Sequence, residues 1–112
     1  MVIKITVPVA KVLAALLAAP DGDHYGLQLM RQATLPSGTL YPILARLRNV
    51  GWVDAHWEDV DAGQAGRPAR RYYRLTSAGV AQARTALAEL HAQTSVNGPS
   101  TPPATIRARS AW

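Results

Sequence analysis

Apolar residues recur at helical spacing in three consecutive segments of the first half of the chain. A first helix is predicted to open at Pro8, where the missing N–H of proline costs nothing because it would be unpaired anyway. A shorter second helix is predicted over about residues 25–33. A third is predicted over residues 37–50, between an N-cap at Ser37 and a stop at Gly51. The apolar faces consist of Val9, Val12, Leu13, Leu16, Leu17, Leu29, Met30, Ala33, Leu40, Ile43, Leu44 and Leu47.

Alternating apolar and polar residues predict three strands. A short N-terminal strand is predicted over residues 3–7. Two more are predicted over about 53–58 and 71–75, and the segment between them, residues 61–68, is a loop rich in Gly and Pro. This pair forms a β-hairpin. A last helix, capped by Thr76 or Ser77, is predicted over about residues 78–93.

The order strand, helix, helix, helix, hairpin, helix predicts a mainly α fold with a small hairpin (α+β), a winged helix-turn-helix. We assign residues 1–94 to this domain and expect residues 95–112, rich in Pro, Ser and Thr, to form a disordered tail. The last helix buries little by itself, and its apolar stripe is expected to meet a second copy of the chain. The residues predicted for dimerisation are Val9, Leu13, Val80, Leu87 and Leu90.

Composition narrows the function. The chain has 112 residues and a formal net charge of +5, which favours a polyanionic partner. It has no cysteine, and its three histidines are far apart, so no metal, cofactor or catalytic cluster is predicted and an enzyme has no support. No apolar run reaches the roughly 20 residues of a membrane span. Without a signal-peptide pattern, a cytoplasmic location and no membrane partner are expected.

The charge changes sign along the predicted hairpin. Residues 51–61 hold four acids and no Lys or Arg, whereas residues 62–75 hold four arginines and no acid. The four acids are Asp54, Glu58, Asp59 and Asp61. This distribution predicts one solvated strand and one strand or loop that faces a polyanion.

The outer face of the third predicted helix carries the first candidate contacts with DNA. Ser37, Gly38 and Thr39 place backbone N–H groups and hydroxyls at a helix N-terminus, which attracts phosphate, although they also serve as a plain N-cap. Tyr41 is placed on DNA rather than over the first helix, and Arg46 is preferred to Arg48 and Asn49. Pro42 lies inside the predicted helix, so either the helix begins nearer Leu40 or its first turn is irregular.

The hairpin carries the second group of candidates. Gly66-Arg67-Pro68 at its tip presents one arginine on a stiffened loop, which suits insertion into a narrow minor groove; a mobile solvated loop is the alternative. Arg70 and Arg71 on the stem suit phosphates. Arg74 is expected to pair with Asp54 or Glu58 across the hairpin.

Three motifs closely resemble those of the PadR-type winged-helix transcriptional regulators, in the compact branch with a single short C-terminal helix. They are Tyr25-Gly26-x-x-Leu29, Ser37-Gly38-Thr39-Leu40-Tyr41-Pro42-Ile43-Leu44-x-Arg46-Leu47-x-x-x-Gly51-Trp52, and Arg71-Tyr72-Tyr73-Arg74-Leu75-Thr76-x-x-Gly79. The resemblance spans roughly residues 9–94. It implies a homodimeric regulator of double-stranded DNA, usually a repressor, whose third helix enters the major groove and whose hairpin contacts the backbone or minor groove.

The resemblance also implies that the C-terminal helix forms the dimer. That helix lacks an aromatic residue, so the sequence gives no support for a small-molecule effector of the flat aromatic kind. The predicted DNA-binding residues are Ser37, Gly38, Thr39, Tyr41, Pro42, Arg46, Arg67, Arg70 and Arg71. The alternative function is a winged-helix module that docks an acidic protein through its basic hairpin.

Overall fold

The first half of the chain is helical and the second half holds most of a small antiparallel sheet. The computed structural model describes residues 3–94. The elements, in chain order, are α1 (Val7–Leu17), β1 (His24–Tyr25), α2 (Gly26–Ala33), α3 (Ser37–Asn49), β2 (Val53–Trp57), α4 (Ala62–Ala65), β3 (Arg71–Leu75) and α5 (Ser77–Thr94). This arrangement confirms the predicted winged helix-turn-helix. The expected disordered tail, residues 95–112, lies outside the described residues.

The core forms where the apolar faces of α1, α2, α3 and α5 meet the inner face of the sheet. Its fully buried members include the predicted stripe residues Val12, Leu29 and Leu47. Val9 and Leu13 are also 0% exposed within a single chain. They therefore have no surface to offer a second copy, and their prediction as dimer contacts is corrected to a role in the protomer core.

The sheet has three strands in the order β1-β3-β2. The hairpin pairs Val53 with Leu75 and Trp57 with Arg71, as the alternating pattern predicted. The short strand β1 pairs Tyr25 with Tyr72 on the other side of β3. The sequence did not predict β1, because two residues are too few to show an alternation. Its pairing fixes the start of α2 against the stem of the hairpin. The whole hairpin, residues 53–75, is called the wing below.

Residues 3–6 do not form the predicted N-terminal strand. The backbone instead runs into α1, where Thr6 is the N-cap and its Oγ1 accepts a hydrogen bond from the Val9 N–H at 3.4 Å. Ile3 and Ile5 are half-buried against the core beside α5. The alternation of apolar and polar residues here therefore arises from packing against a helix rather than from pairing in a sheet.

Helix α3 begins and continues differently from the prediction. Its N-cap is Pro36, not Ser37, and it makes no side-chain cap bond. The helix does not begin nearer Leu40: the carbonyl of Pro36 already accepts from both the Thr39 and Leu40 N–H groups at 3.0 Å. Pro42 lies within the helix. The carbonyl left without its N–H belongs to Gly38, which is exposed, so water can bind it.

Helix α5 is anchored by the Leu-Thr-x-x-Gly segment. Thr76 Oγ1 accepts from the Gly79 N–H at 2.9 Å and donates to the Gly51 carbonyl at 2.7 Å. Glycine is required at position 79, because a Cβ there would overlap the backbone of Trp52. Only Gly79, Ala83 and Ala86 of this 18-residue helix are buried. Leu87 and Leu90 remain half-exposed toward its C-terminal end.

Candidate nucleic-acid interface

The exposed face of α3 has a central strip of short side chains, with longer side chains on both sides of it. At about 100° per residue, Gly38, Pro42, Ala45 and Asn49 lie opposite the buried leucines. All four are exposed. Tyr41 and Arg48 lie within about 20° of each other on one flank, whereas Arg46 is about 140° from Tyr41 on the other. The face therefore offers small side chains for close approach, with an arginine on each side.

Tyr41 lies over the start of α2 rather than over α1. A Cβ at Gly26 would overlap the Tyr41 hydroxyl, so the Tyr41 ring could keep this position only beside a glycine. The Tyr41 side chain remains 43% exposed. Tyr41 therefore packs against the start of α2 while part of its side chain remains exposed, and its contact with DNA stays a prediction.

One cleft brings candidate residues from α3 and from the wing together. It has a volume of about 370 Å³ and is open to solvent. Its lining consists of Tyr25, Gly26, Leu27, Tyr41, Arg70, Arg71 and Tyr73. Of the predicted DNA-binding residues, the cleft gathers Tyr41, Arg70 and Arg71. The contributions of Tyr25, Gly26 and Leu27 were missed, although Tyr25-Gly26 was visible as a motif.

The two arginines of the cleft differ in freedom. Arg70 is exposed, whereas Arg71 is half-buried, with its guanidinium 5.6 Å from the Trp57 ring centroid and 6.0 Å from that of Tyr73. Stacking against two aromatic faces orients a guanidinium while leaving its edge available for hydrogen bonds. Burial raises the pKa of Tyr73. The side chain of Arg71 is thus held in one orientation, whereas the exposed side chain of Arg70 can adjust.

Arg67 does not project from the wing tip as predicted. The tip contains the four-residue helix α4, capped by Asp61, and turns at Gly66 with φ of 72°. After that turn the Arg67 side chain folds back onto Glu58, with Nη1–Oε1 at 2.6 Å and Nη2–Oε2 at 3.3 Å. The presentation of Arg67 to a minor groove is therefore corrected: in this structure its guanidinium binds a carboxylate of its own wing.

Glu58 is the residue beside the cleft that the sequence prediction misplaced. It was assigned to a solvated strand, yet its side chain is only 12% exposed. It accepts from Arg67, from the Arg70 N–H at 2.9 Å and from the Tyr25 hydroxyl at 3.0 Å. The Arg67 hydrogen bonds, followed by that from the Arg70 backbone, lower the pKa of Glu58 from 4.5 to about 2. The same carboxylate raises the pKa of Tyr25.

Arg74 pairs with neither Asp54 nor Glu58. Its Nε donates to Asp23 Oδ1 at 2.9 Å, and an Nη2–Oδ1 ion pair accompanies this bond. The reason is topological: β3 is the central strand, and the turn before β1 brings Asp23 beside Arg74 from the far side. Arg74 also stacks on Tyr72, with its guanidinium 5.7 Å from the ring centroid. This arginine belongs to the structural side of the wing.

Two other kinds of feature, a metal site and a membrane-spanning helix, can be checked over residues 3–94. Within that range, no three His, Asp or Glu side chains are grouped so as to hold a metal ion. None of the described helices is long and apolar enough to cross a membrane. His24 is buried and its Nε2 lies 2.8 Å from the Ala19 carbonyl, so it packs at the turn before α2.

A family model matches most of the described chain. It is the model of the "Transcriptional regulator PadR-like family", and it matches residues 13–89. This range includes α2, α3, the whole wing and most of α5. No curated protein matches the sequence.

Solved structures of similar fold include regulators of the same type. A PadR family transcription regulator from Clostridium difficile R20291 is 21% identical. The match covers 81% of this chain and 94% of the chain of that regulator, with a TM-score of 0.65. A PadR-like transcription factor from Bacteroides fragilis is 28% identical over 76% of this chain and 77% of its own, with a TM-score of 0.53. The smu.1704 protein of Streptococcus mutans UA159 is 24% identical over 85% and 88%, with a TM-score of 0.61.

Proposed function

The chain belongs to the PadR-like family of transcriptional regulators, and we propose that it is a homodimeric repressor that reads a pseudo-palindromic operator. Membership of the family makes it a DNA-binding regulator rather than an enzyme. In the proposal, α3 enters the major groove and the cleft between α2, α3 and the wing receives the adjacent sugar–phosphate backbone. In the proposal, the protein acts on DNA in the cytoplasm.

The observation that carries the proposal is the convergence of Tyr41, Arg70 and Arg71 on one cleft. These residues come from α3 and from the wing, two elements that winged helices direct at DNA. Phosphate binding needs positive charge and hydrogen-bond donors on a concave surface, and two guanidinium groups and a phenol supply them.

The exposed face of α3 suits a groove. Its central strip, formed by Gly38, Pro42, Ala45 and Asn49, lets the helix backbone approach base edges closely. Ser37 and Gly38 place N–H groups at the helix N-terminus, where a phosphate is favoured by the dipole, whereas the Thr39 N–H already donates to the Pro36 carbonyl. We propose that Arg46 and Arg48, on opposite flanks, bind the backbones or base edges on the two sides of the groove.

The half-exposed apolar residues of α5 support the proposed homodimer. Val80, Leu87 and Leu90 form a stripe that the protomer covers only in part. Ile5 and Leu90 line one shallow groove beside it, so the N-terminal segment extends the same surface. A two-fold dimer through this surface would place two α3 helices on half-sites about 10 bp apart, or one helical turn.

The proposal is tested by a gel shift with the full-length protein and DNA from upstream of its own gene. A salt-sensitive shift is expected, and it should be competed by unlabelled fragment but not by unrelated DNA. Light scattering should give a dimer at micromolar concentration, and Leu87→Asp with Leu90→Asp should give a monomer. Absence of any salt-sensitive shift would contradict the proposal. Binding to an acidic protein that survives replacement of Tyr41 and Arg46 would favour the protein-docking alternative.

A further inference from the structure

Glu58 is an acid beside the cleft, where it bonds two of the residues that line it, Tyr25 and Arg70. It immediately follows β2, and its side chain lies between Tyr25 and Arg67. A carboxylate near bound DNA repels phosphate, so its presence there calls for a compensating role. Four hydrogen bonds to its two oxygens indicate what that role is.

The first effect of Glu58 is to close the base of the wing tip. Its N–H donates to the Arg70 carbonyl at 2.8 Å, and its Oε1 accepts from the Arg70 N–H at 2.9 Å. Arg67 adds a bidentate bond to the same carboxylate. The segment between residues 58 and 70 is thereby held at both ends. A loop ordered before binding spares the complex the entropy of ordering it later.

The second effect is to attach the wing to the helix-turn-helix. Tyr25 is the residue immediately before α2, and its hydroxyl donates to Glu58 Oε2 at 3.0 Å. Its ring also lies 6.0 Å from that of Tyr72 in β3. The Glu58 carboxylate bonds both Tyr25 and the Arg70 N–H, so it links the position of Arg70 to the beginning of α2. Arg70 and the start of α2 are the two walls of the cleft.

We propose that Glu58 is a positioning residue for DNA binding, which holds the wing so that Arg70 and Arg71 face the cleft beside α2. The inference rests on the proposed DNA-binding function. It has a distinctive sign: removing this negative charge weakens binding to DNA, although removing a negative charge near phosphates ordinarily strengthens it. Arg67 acts in this arrangement through Glu58, as the counter-charge of the clamp formed by Tyr25, Glu58 and Arg67.

The test compares Glu58→Gln with Asp59→Asn in the full-length protein. Asp59 is exposed, has the same charge one residue away, and forms no ion pair within residues 3–94. On a DNA fragment that the wild type binds, Glu58→Gln should weaken binding roughly tenfold. The slope of log affinity against log salt should fall by about one per protomer, because Arg70 no longer reaches its phosphate. Asp59→Asn should bind as tightly as the wild type or more tightly, with an unchanged slope.

A second measurement needs no DNA. In amide hydrogen exchange, the Arg70 N–H should exchange faster in Glu58→Gln than in Asp59→Asn, while α1 and α3 remain protected alike in both. The inference is overturned if Glu58→Gln binds as tightly as Asp59→Asn, or if the Arg70 N–H stays protected. A wild type that binds no DNA would contradict the proposed function itself, and the exchange result would then decide separately whether the clamp exists.

Discussion

Arg67 and Glu58 form a bidentate ion pair at the base of the wing tip, with Nη1–Oε1 at 2.6 Å. The pair joins the most basic stretch of the chain to the acidic stretch that precedes it. It also redirects the arginine that the Gly-Arg-Pro tip was predicted to present to a minor groove. The wing consequently binds DNA, in our account, through Arg70 and Arg71 on its stem rather than through its tip.

Replacing both members of this pair should cost little more than replacing one. Arg67→Ala leaves Glu58 with an unpaired charge, and Glu58→Gln releases Arg67, so each single change should weaken DNA binding. The double variant should bind no more weakly than the weaker single variant, because both changes break one clamp. Affinities of the four proteins on one DNA fragment provide this cycle. Strict additivity would show that Arg67 contacts DNA independently of Glu58.

The clamp should be insensitive to pH down to acid conditions. The pKa of Glu58 is depressed from 4.5 to about 2 in the folded protein. A depressed carboxyl pKa stabilises the folded state above the unfolded pKa, and this contribution is lost as the pH falls through the folded value. The stability difference between wild type and Glu58→Gln should therefore hold above pH 4.5 and shrink between pH 4.5 and 2. Urea unfolding at a series of pH values measures it, and a constant difference would contradict it.

Gly26 should be intolerant of even a methyl group. Gly26→Ala places Cβ where the Tyr41 hydroxyl lies, and we expect a loss of about 1–3 kcal/mol in the free energy of unfolding. Adding Tyr41→Ala should restore part of it. Gly38→Ala is the matched control: it lies in α3 with nothing near its Cβ position, and should stabilise by about 0.4–1 kcal/mol. Urea denaturation that ranks the two single variants equally would contradict the packing described.

Arg70 and Arg74 should separate DNA contact from wing structure. Both are exposed on or beside β3, but Arg70 lines the cleft and Arg74 pairs with Asp23. Arg70→Ala should lower DNA affinity and reduce the salt slope by about 0.9 for each phosphate that is no longer neutralised. Arg74→Ala should leave the slope unchanged. Fluorescence anisotropy titrations at several salt concentrations measure both, and equal slopes for the two variants would remove Arg70 from the interface.

Local signals were sufficient to predict most of the fold. Helical spacing located α1, α2 and α3, and alternation located the hairpin, because each pattern lies within one element. The glycine that follows α3, Gly51, has φ of 81° and ends the helix as predicted. The Ser37 N-cap was displaced by one residue, since Pro36 occupies the extended position that a cap requires.

Several of the features that were missed depend on residues distant in sequence. Arg74 and Asp23 are 51 positions apart, and Tyr25 and Glu58 are 33 apart, so no local pattern links either pair. Strand β1 exists only through its pairing with β3. The alternation at residues 3–7 was misassigned because a helix surface and a sheet edge both accept alternate apolar residues. Tertiary packing, which the local pattern does not contain, decided each case.

The most direct test of sequence-specific recognition is selection of bound sequences from a random double-stranded DNA pool with the full-length protein. We predict enrichment of a two-fold symmetric sequence whose half-sites lie about 10 bp apart, one for each α3 helix. The enriched sequence should bind more weakly to Tyr41→Ala and to Arg70→Ala than to the wild type. Failure to enrich any sequence, or enrichment of an asymmetric site bound equally by both variants, would contradict recognition by α3 and the cleft.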